Sequence, residues 1–161
     1  MLAAQPNLAK ARIFLRNSYE GRYQALGLVG RIDEALLDVD RCLALCDEAT
    51  GALVRLGRFE VLIRVDAGRA MAELDRVARE PTTPDATLHH GVVLMCQVAS
   101  AEEDASARAS HCTRAMTLLE QLLTRGYLRS PTIRERLRNE PAIGVLRERD
   151  DFWDLMERAE K

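Results

Sequence analysis

The stretch Tyr19–Ala35, YEGRYQALGLVGRIDEA, decides the fold. Tyr19, Tyr23 and Leu26 recur at steps of four and three, which puts them on one helical face. Gly30-Arg31 then breaks the helix, and Asp33 and Glu34 open a second one, where carboxylates complement the helix dipole. Ala35 follows at the place where that second helix presses on the first. The spacing predicts a tight helical hairpin.

Working outward, the same periodicity predicts a first helix from just after Pro6-Asn7 to about Val29. Its apolar stripe is Ile13, Phe14, Ser18, Tyr19, Tyr23, Leu26 and Val29. The second helix starts near Ile32 and buries Ala35, Leu36, Val39, Cys42, Leu43 and Cys46. Thr50-Gly51 is expected to loosen the chain before a third helix carrying Leu53, Leu56, Phe59 and Ile63. A turn at Asp66-Ala67-Gly68 leads to a fourth helix, about Arg69 to Arg79. Pro81-Thr82-Thr83-Pro84-Asp85 is the clearest linker, because two prolines forbid a continuous helix and Asp85 suits an N-cap.

A fifth helix, about Ala86 to Ala101, is apolar almost all round and belongs in the middle of a stack. A sixth runs from about Ala105 to Leu123, with Gly126 as its C-cap. Ser130-Pro131 starts a short helix, Asn139-Glu140-Pro141 ends it, and a last helix from about Asp150 carries Phe152, Trp153, Leu155 and Met156. No strand-like alternation persists. The expectation is a single all-α domain over residues 1–161, built of hairpins at about 7–46, 49–79 and 85–125 with a C-terminal cap at about 131–159.

Composition agrees with that reading and narrows the function classes. The 161 residues are 47% hydrophobic and 30% charged but only 4% aromatic, so Leu, Ala and Val carry a core suited to closely packed helices. A formal net charge of −2 supplies no basic field to draw nucleic acid or anionic lipid. All but Lys10 and Lys161 of the 23 basic residues are arginine, a bias that fits coding in a GC-rich genome. No stretch approaches the roughly 18 consecutive apolar residues of a membrane span, and the first six residues lack the charged-then-apolar order of a secretory leader. The four cysteines sit in apolar helical contexts, where free Cys behaves as a small hydrophobe. A reduced cytoplasmic setting is expected.

The hairpin pattern has a period. Tyr19-x3-Tyr23-x2-Leu26-x3-Gly30-Arg31-Ile32-Asp33-Glu34-Ala35 resembles a tetratricopeptide repeat, with Tyr23 where Gly or Ala is usual. A second unit can be set with Gly57 in the small position and Ala70 in the close-packing one, about 34 residues on. Alternatively, Leu56-Gly57-Arg58-Phe59-Glu60 forms a turn like Val29-Gly30-Arg31-Ile32-Asp33. The C-terminal third is more specific. Leu118-Leu119-x2-Leu122-x3-Gly126-Tyr127, then Leu137-Arg138-Asn139-Glu140-Pro141 and Asp150-Asp151-Phe152-x2-Leu155, resembles the repeat tail behind serine/threonine kinase domains of planctomycete-type bacteria. Asn139-Glu140 departs from the acidic pair of that family while keeping the Pro. The resemblance implies a right-handed superhelix of three to four stacked hairpins and a protein-interaction appendage. No glycine-rich ATP loop, His-Arg-Asp or Asp-Phe-Gly occurs, so the kinase itself is not encoded here.

The candidate site residues follow from that register. The inner face of the first helix offers Asn17, Glu20, Gln24 and Leu28 to a protein or peptide partner or an adjacent domain. The Lys/Asn set that clamps a terminal carboxylate in chaperone-binding members of the family is not present. His89 and Cys96, seven apart on one helix, and His111-Cys112 on the next, are the weak candidates for a zinc site, without a Cys-x2-Cys or His-x3-His pair. Cys42 and Cys46 lie one turn apart and read as core. Arg129, Arg134, Arg136 and Arg138, followed by Arg147 and Arg149, read as a solvated mixed-charge face because Glu135, Glu140 and Glu148 intersperse them. The expected function is non-catalytic protein binding or scaffolding with no cofactor. A self-associating homodimer is the alternative, and a metal-binding helical protein the distant one.

Overall fold

The computed structural model describes residues 6–161. Met1–Gln5, and with them the reading of the chain's start, lie outside the described residues. Nine α-helices and two short 3₁₀ turns account for the described secondary structure, with no strand among the described residues. The chain falls into two compact units that divide between Thr83 and Pro84, inside the stretch the prolines mark as a linker. This is a finer division than the single domain the composition suggests.

In the first unit, α1 (Pro6–Leu28) and α2 (Ile32–Leu43) form a hairpin. Arg12 donates to the Leu45 carbonyl at 3.0 Å at one end, and Arg22 reaches Asp38 toward the other, so the helices run antiparallel. Gly30 takes φ 76°, and the Arg31 N–H bonds back to the Leu26 carbonyl at 2.9 Å. That left-handed glycine closes orphan carbonyls and turns the chain sharply. The second hairpin pairs α3 (Glu48–Leu62) with α4 (Ala67–Arg79), bridged by Arg55–Glu80 at 3.5 Å and Arg58–Glu73 at 3.6 Å. Asp66 caps α4 by accepting from the Arg69 N–H at 3.0 Å. α3 packs on both α1 and α2, around a core of Tyr23, Ala35, Val39, Cys42, Val54 and Val61.

Three expectations are corrected here. Thr50-Gly51 does not loosen the chain: Asp47 accepts from the Thr50 N–H at 2.8 Å, and this cap starts α3 three residues before Gly51. Residues 56–60 lie inside α3, so the alternative turn at Gly57 is absent. The first-helix stripe is incomplete, because Ile13, Phe14, Ser18 and Val29 are exposed. α1 has 23 residues against the 12 of α2, so α2 cannot cover the whole of its length.

In the second unit, α5 (Asp85–Ala101) and α6 (Ala105–Thr124) are antiparallel, with Arg125–Asp85 at one end and His111–Glu102 near the other. Pro84, not Asp85, occupies the cap position of α5, which leaves the Asp85 carboxylate to Arg125 at 3.3 Å. Leu88, Val92, Met95, Cys96 and Ala99 of α5 are fully enclosed. Its all-round apolarity is spent on α6, the 3₁₀ turn Pro141–Ile143 and α8 (Gly144–Arg147). Gly126 at φ 79° follows α6, and α7 (Pro131–Asn139) starts on a proline at its first helical position. α9 (Asp150–Arg158) turns Phe152, Leu155 and Met156 inward and packs on α6 and α8.

The arginine-rich tail is more than a solvated face. Arg134 donates to the carbonyls of Leu128, Arg129 and Ala159 at 3.0, 2.6 and 3.2 Å. Arg147 donates to those of Arg138 and Glu140 at 2.7 and 3.1 Å. Short helices leave many orphan carbonyls, and the guanidinium fork satisfies several at once. Arg138 pairs with Glu160, and Arg149 with Asp151.

Candidate functional site

Close approach of α1 and α3 builds a groove of about 270 Å³ lined by Tyr23, Gln24, Gly27, Leu28, Gly57, Glu60, Val61 and Arg64. Two glycines make it possible. A Cβ placed on Gly57 would lie 2.2 Å from the Tyr23 hydroxyl oxygen, and one on Gly27 would lie 3.3 Å from Val61 Cγ2. The Tyr23 ring therefore sits directly over bare α3 backbone. Burial pushes the Tyr23 phenol pKa up from its ordinary value, so the hydroxyl stays neutral and the floor of the groove uncharged. The floor is apolar, and Gln24, Glu60 and Arg64 supply its polar rim.

Of the four predicted inner-face residues, Gln24 and Leu28 line this groove, and Leu28 is 73% exposed. Asn17 and Glu20 do not line it. Asn17 accepts from its neighbour Arg16 at 3.0 Å on an exposed surface, and Glu20 is half-buried. The register that picked Asn17 and Glu20 ignores where α3 crosses α1, which is at the Gly27–Gly57 end. Only the facing glycine, Gly57, could have signalled that.

A second feature escaped the sequence reading. Asp38 is 1% exposed on α2 and accepts from Arg22 and from Arg41, the latter at 3.1 Å. Both guanidinium carbons stand 5.7 Å from the centre of the Tyr19 ring, a double cation–π arrangement. The Arg22 hydrogen bond holds the Asp38 carboxyl below the usual range. The cluster locks the α1/α2 hairpin. In sequence, Asp38 reads as a surface residue of an amphipathic helix because its partners are 16 residues upstream and three downstream.

The metal candidates do not converge. Helices running antiparallel place His89 and His111 near opposite ends of the α5/α6 hairpin, roughly 15–20 Å apart at about 1.5 Å per residue. His89 packs edge-on against Tyr127, with Nδ1 3.4 Å from the hydroxyl, and His111 faces Glu102 at 3.9 Å. No group of three or more His, Cys, Asp or Glu placed to hold a metal ion occurs among the described residues. Cys96 and Cys112 are buried, and enclosure pushes the Cys96 thiol up to about 12. Cys42 is likewise raised to about 12 by burial, and Cys46 Sγ donates to the Cys42 carbonyl at 3.2 Å. Thiols held this far from ionisation are poor nucleophiles. No described helix is long and apolar enough to cross a membrane. No family model, curated protein or solved structure matches the chain.

Proposed function

We propose that this chain is a non-catalytic protein-interaction module whose α1/α3 groove receives an apolar anchor of a peptide segment. The single observation that carries the reading is the groove itself: an apolar floor of Tyr23, Gly27, Gly57 and Val61 with a polar rim of Gln24, Glu60 and Arg64. A concave apolar pocket edged by a few polar groups is the usual form of a ligand site, and affinity in such sites rests on a few anchors. The tetratricopeptide-like reading finds support in the packing of α1 on α3. Tyr23 meets Gly57 and Gly27 meets Val61, each pair 34 residues apart, which is the step of that repeat. Ala35 and Ala70, the proposed close-packing pair, are both fully buried. The likeness of the C-terminal third to bacterial kinase tails makes a cytoplasmic scaffolding role in a larger signalling assembly the natural setting.

The test is selection of peptides from a displayed random library on the immobilised chain, followed by titration. Selected peptides should share a bulky apolar residue and lose at least roughly tenfold in affinity against Val61→Glu, the scale of one lost anchor. Binding to Trp153→Ala, in the other unit, should be unchanged. Peptides that bind Val61→Glu as well as the parent chain would refute the assignment.

A further inference from the structure

The floor of the α1/α3 groove holds a polar atom that the chain leaves without a partner. Tyr23 is 3% exposed and lines the groove together with Gly57, and its hydroxyl oxygen lies against the bare Gly57 backbone. Among the described residues no group hydrogen-bonds to that hydroxyl. A buried hydroxyl is ordinarily paired, and the groove is the side from which a partner can reach this one. The carboxylates of Glu20 and Glu60 act on the same hydroxyl electrostatically, which disfavours an incoming anion and favours an N–H or O–H donor. A neutral phenol can donate or accept, so the Tyr23 oxygen is free to accept.

The rim narrows the choice further. Arg64 lines the groove, is exposed, and makes no ion pair or hydrogen bond among the described residues. Glu60, on the same helix, is already engaged. A guanidinium with no carboxylate to hold it stacks well on an aromatic face, where it gains cation–π attraction. Leu28 and Val61 add aliphatic contact along the groove. Its volume of about 270 Å³ suits one large side chain rather than a whole small-molecule ligand.

We infer that the anchor received by the groove is an aromatic side chain with a donor at its tip, a peptide's tryptophan or tyrosine, which donates to the Tyr23 hydroxyl while Arg64 stacks on its ring. This rests on the groove reading above and adds the chemistry of the anchor to it. Tryptophan and tyrosine combine a large apolar body with a polar tip, the form that anchors at interfaces most often take. Phenylalanine would fill the same floor but offers no donor. Leucine offers neither donor nor ring.

The probes are the N-acetyl amides of tryptophan, tyrosine, phenylalanine and leucine, titrated into the isotope-labelled full chain and followed by NMR at the backbone amides of Gly27, Gly57 and Val61. The tightest should bind with Kd of order 1 mM. Tryptophan and tyrosine should bind about three- to tenfold more tightly than phenylalanine, the worth of one hydrogen bond. That preference should disappear in Tyr23→Phe, with far-UV circular dichroism unchanged. Arg64→Gln should weaken the aromatic probes about two- to fivefold and leave leucine within about twofold. Phenylalanine binding as tightly as tryptophan and tyrosine overturns the inference and leaves the groove reading standing. A preference that survives Tyr23→Phe, or aromatic probes indifferent to Arg64→Gln, does the same. Silence of the three amides to all four probes overturns both.

Discussion

Three glycine-to-alanine substitutions grade the approach of α1 to α3. In the interior of a helix, Gly→Ala is worth about 1 kcal/mol through backbone entropy when the added methyl meets nothing. At Gly21 a Cβ has no neighbour within 4 Å, so Gly21→Ala should stabilise by about 0.5–1 kcal/mol. At Gly27 the methyl would stand 3.3 Å from Val61 Cγ2, and Val61 is nearly buried, so a shift of a few tenths of an ångström cancels most of the gain. At Gly57 the new atom would lie 2.2 Å from the Tyr23 hydroxyl oxygen and 2.8 and 3.0 Å from two carbons of its ring. That ring is 3% exposed and cannot swing to solvent, so the helices must part. Overpacking costs about 1–3 kcal/mol, so after the propensity gain Gly57→Ala is left destabilised by up to about 2 kcal/mol. Urea unfolding followed by circular dichroism at 222 nm gives the order Gly21→Ala, wild type with Gly27→Ala, then Gly57→Ala. Combining Gly57→Ala with Tyr23→Phe removes the nearest clashing atom and should recover at least about 0.5 kcal/mol beyond additivity. A Gly57→Ala chain as stable as Gly21→Ala would mean that Tyr23 does not lie on the α3 backbone. The groove floor would fall with it.

Two pH-linked outcomes follow from buried groups. Asp38→Asn should cost about 1 kcal/mol at pH 7, since Arg22 and Arg41 are half-open to solvent and their attraction is screened. Because the folded pKa of Asp38 is lowered, this contribution exists above the unfolded value of 3.8 and is lost as pH falls through the folded one, so wild type and Asp38→Asn should converge in acid unfolding curves. His89 runs the same way at higher pH: burial first, then Arg136, lowers its pKa from 6.5, so the unfolded chain takes up the proton before the folded one does. Stability is full above pH 6.5 and falls as pH drops below it, and His89→Gln should flatten the urea midpoint between pH 6.5 and 5.

Helix existence was legible because it rests on local order. The three- and four-residue steps around Tyr19–Leu26, the Gly30 turn and the Pro81–Asp85 linker each act within a few residues, and each appears where the spacing puts it. Two boundaries moved for different reasons: the Asp47 cap starts α3 before Gly51, and Pro84, without a side-chain cap bond, takes the position expected of Asp85. The candidate site was half legible. Gln24 and Leu28 follow from the register of α1, whereas the floor depends on Gly57, whose role is set by a tyrosine 34 residues away. Asp38 and the carbonyl-capping arginines were missed for one reason. A charged residue on an amphipathic helix looks solvated until the partner arriving from another turn is known, and guanidinium groups find carbonyls that no spacing rule marks.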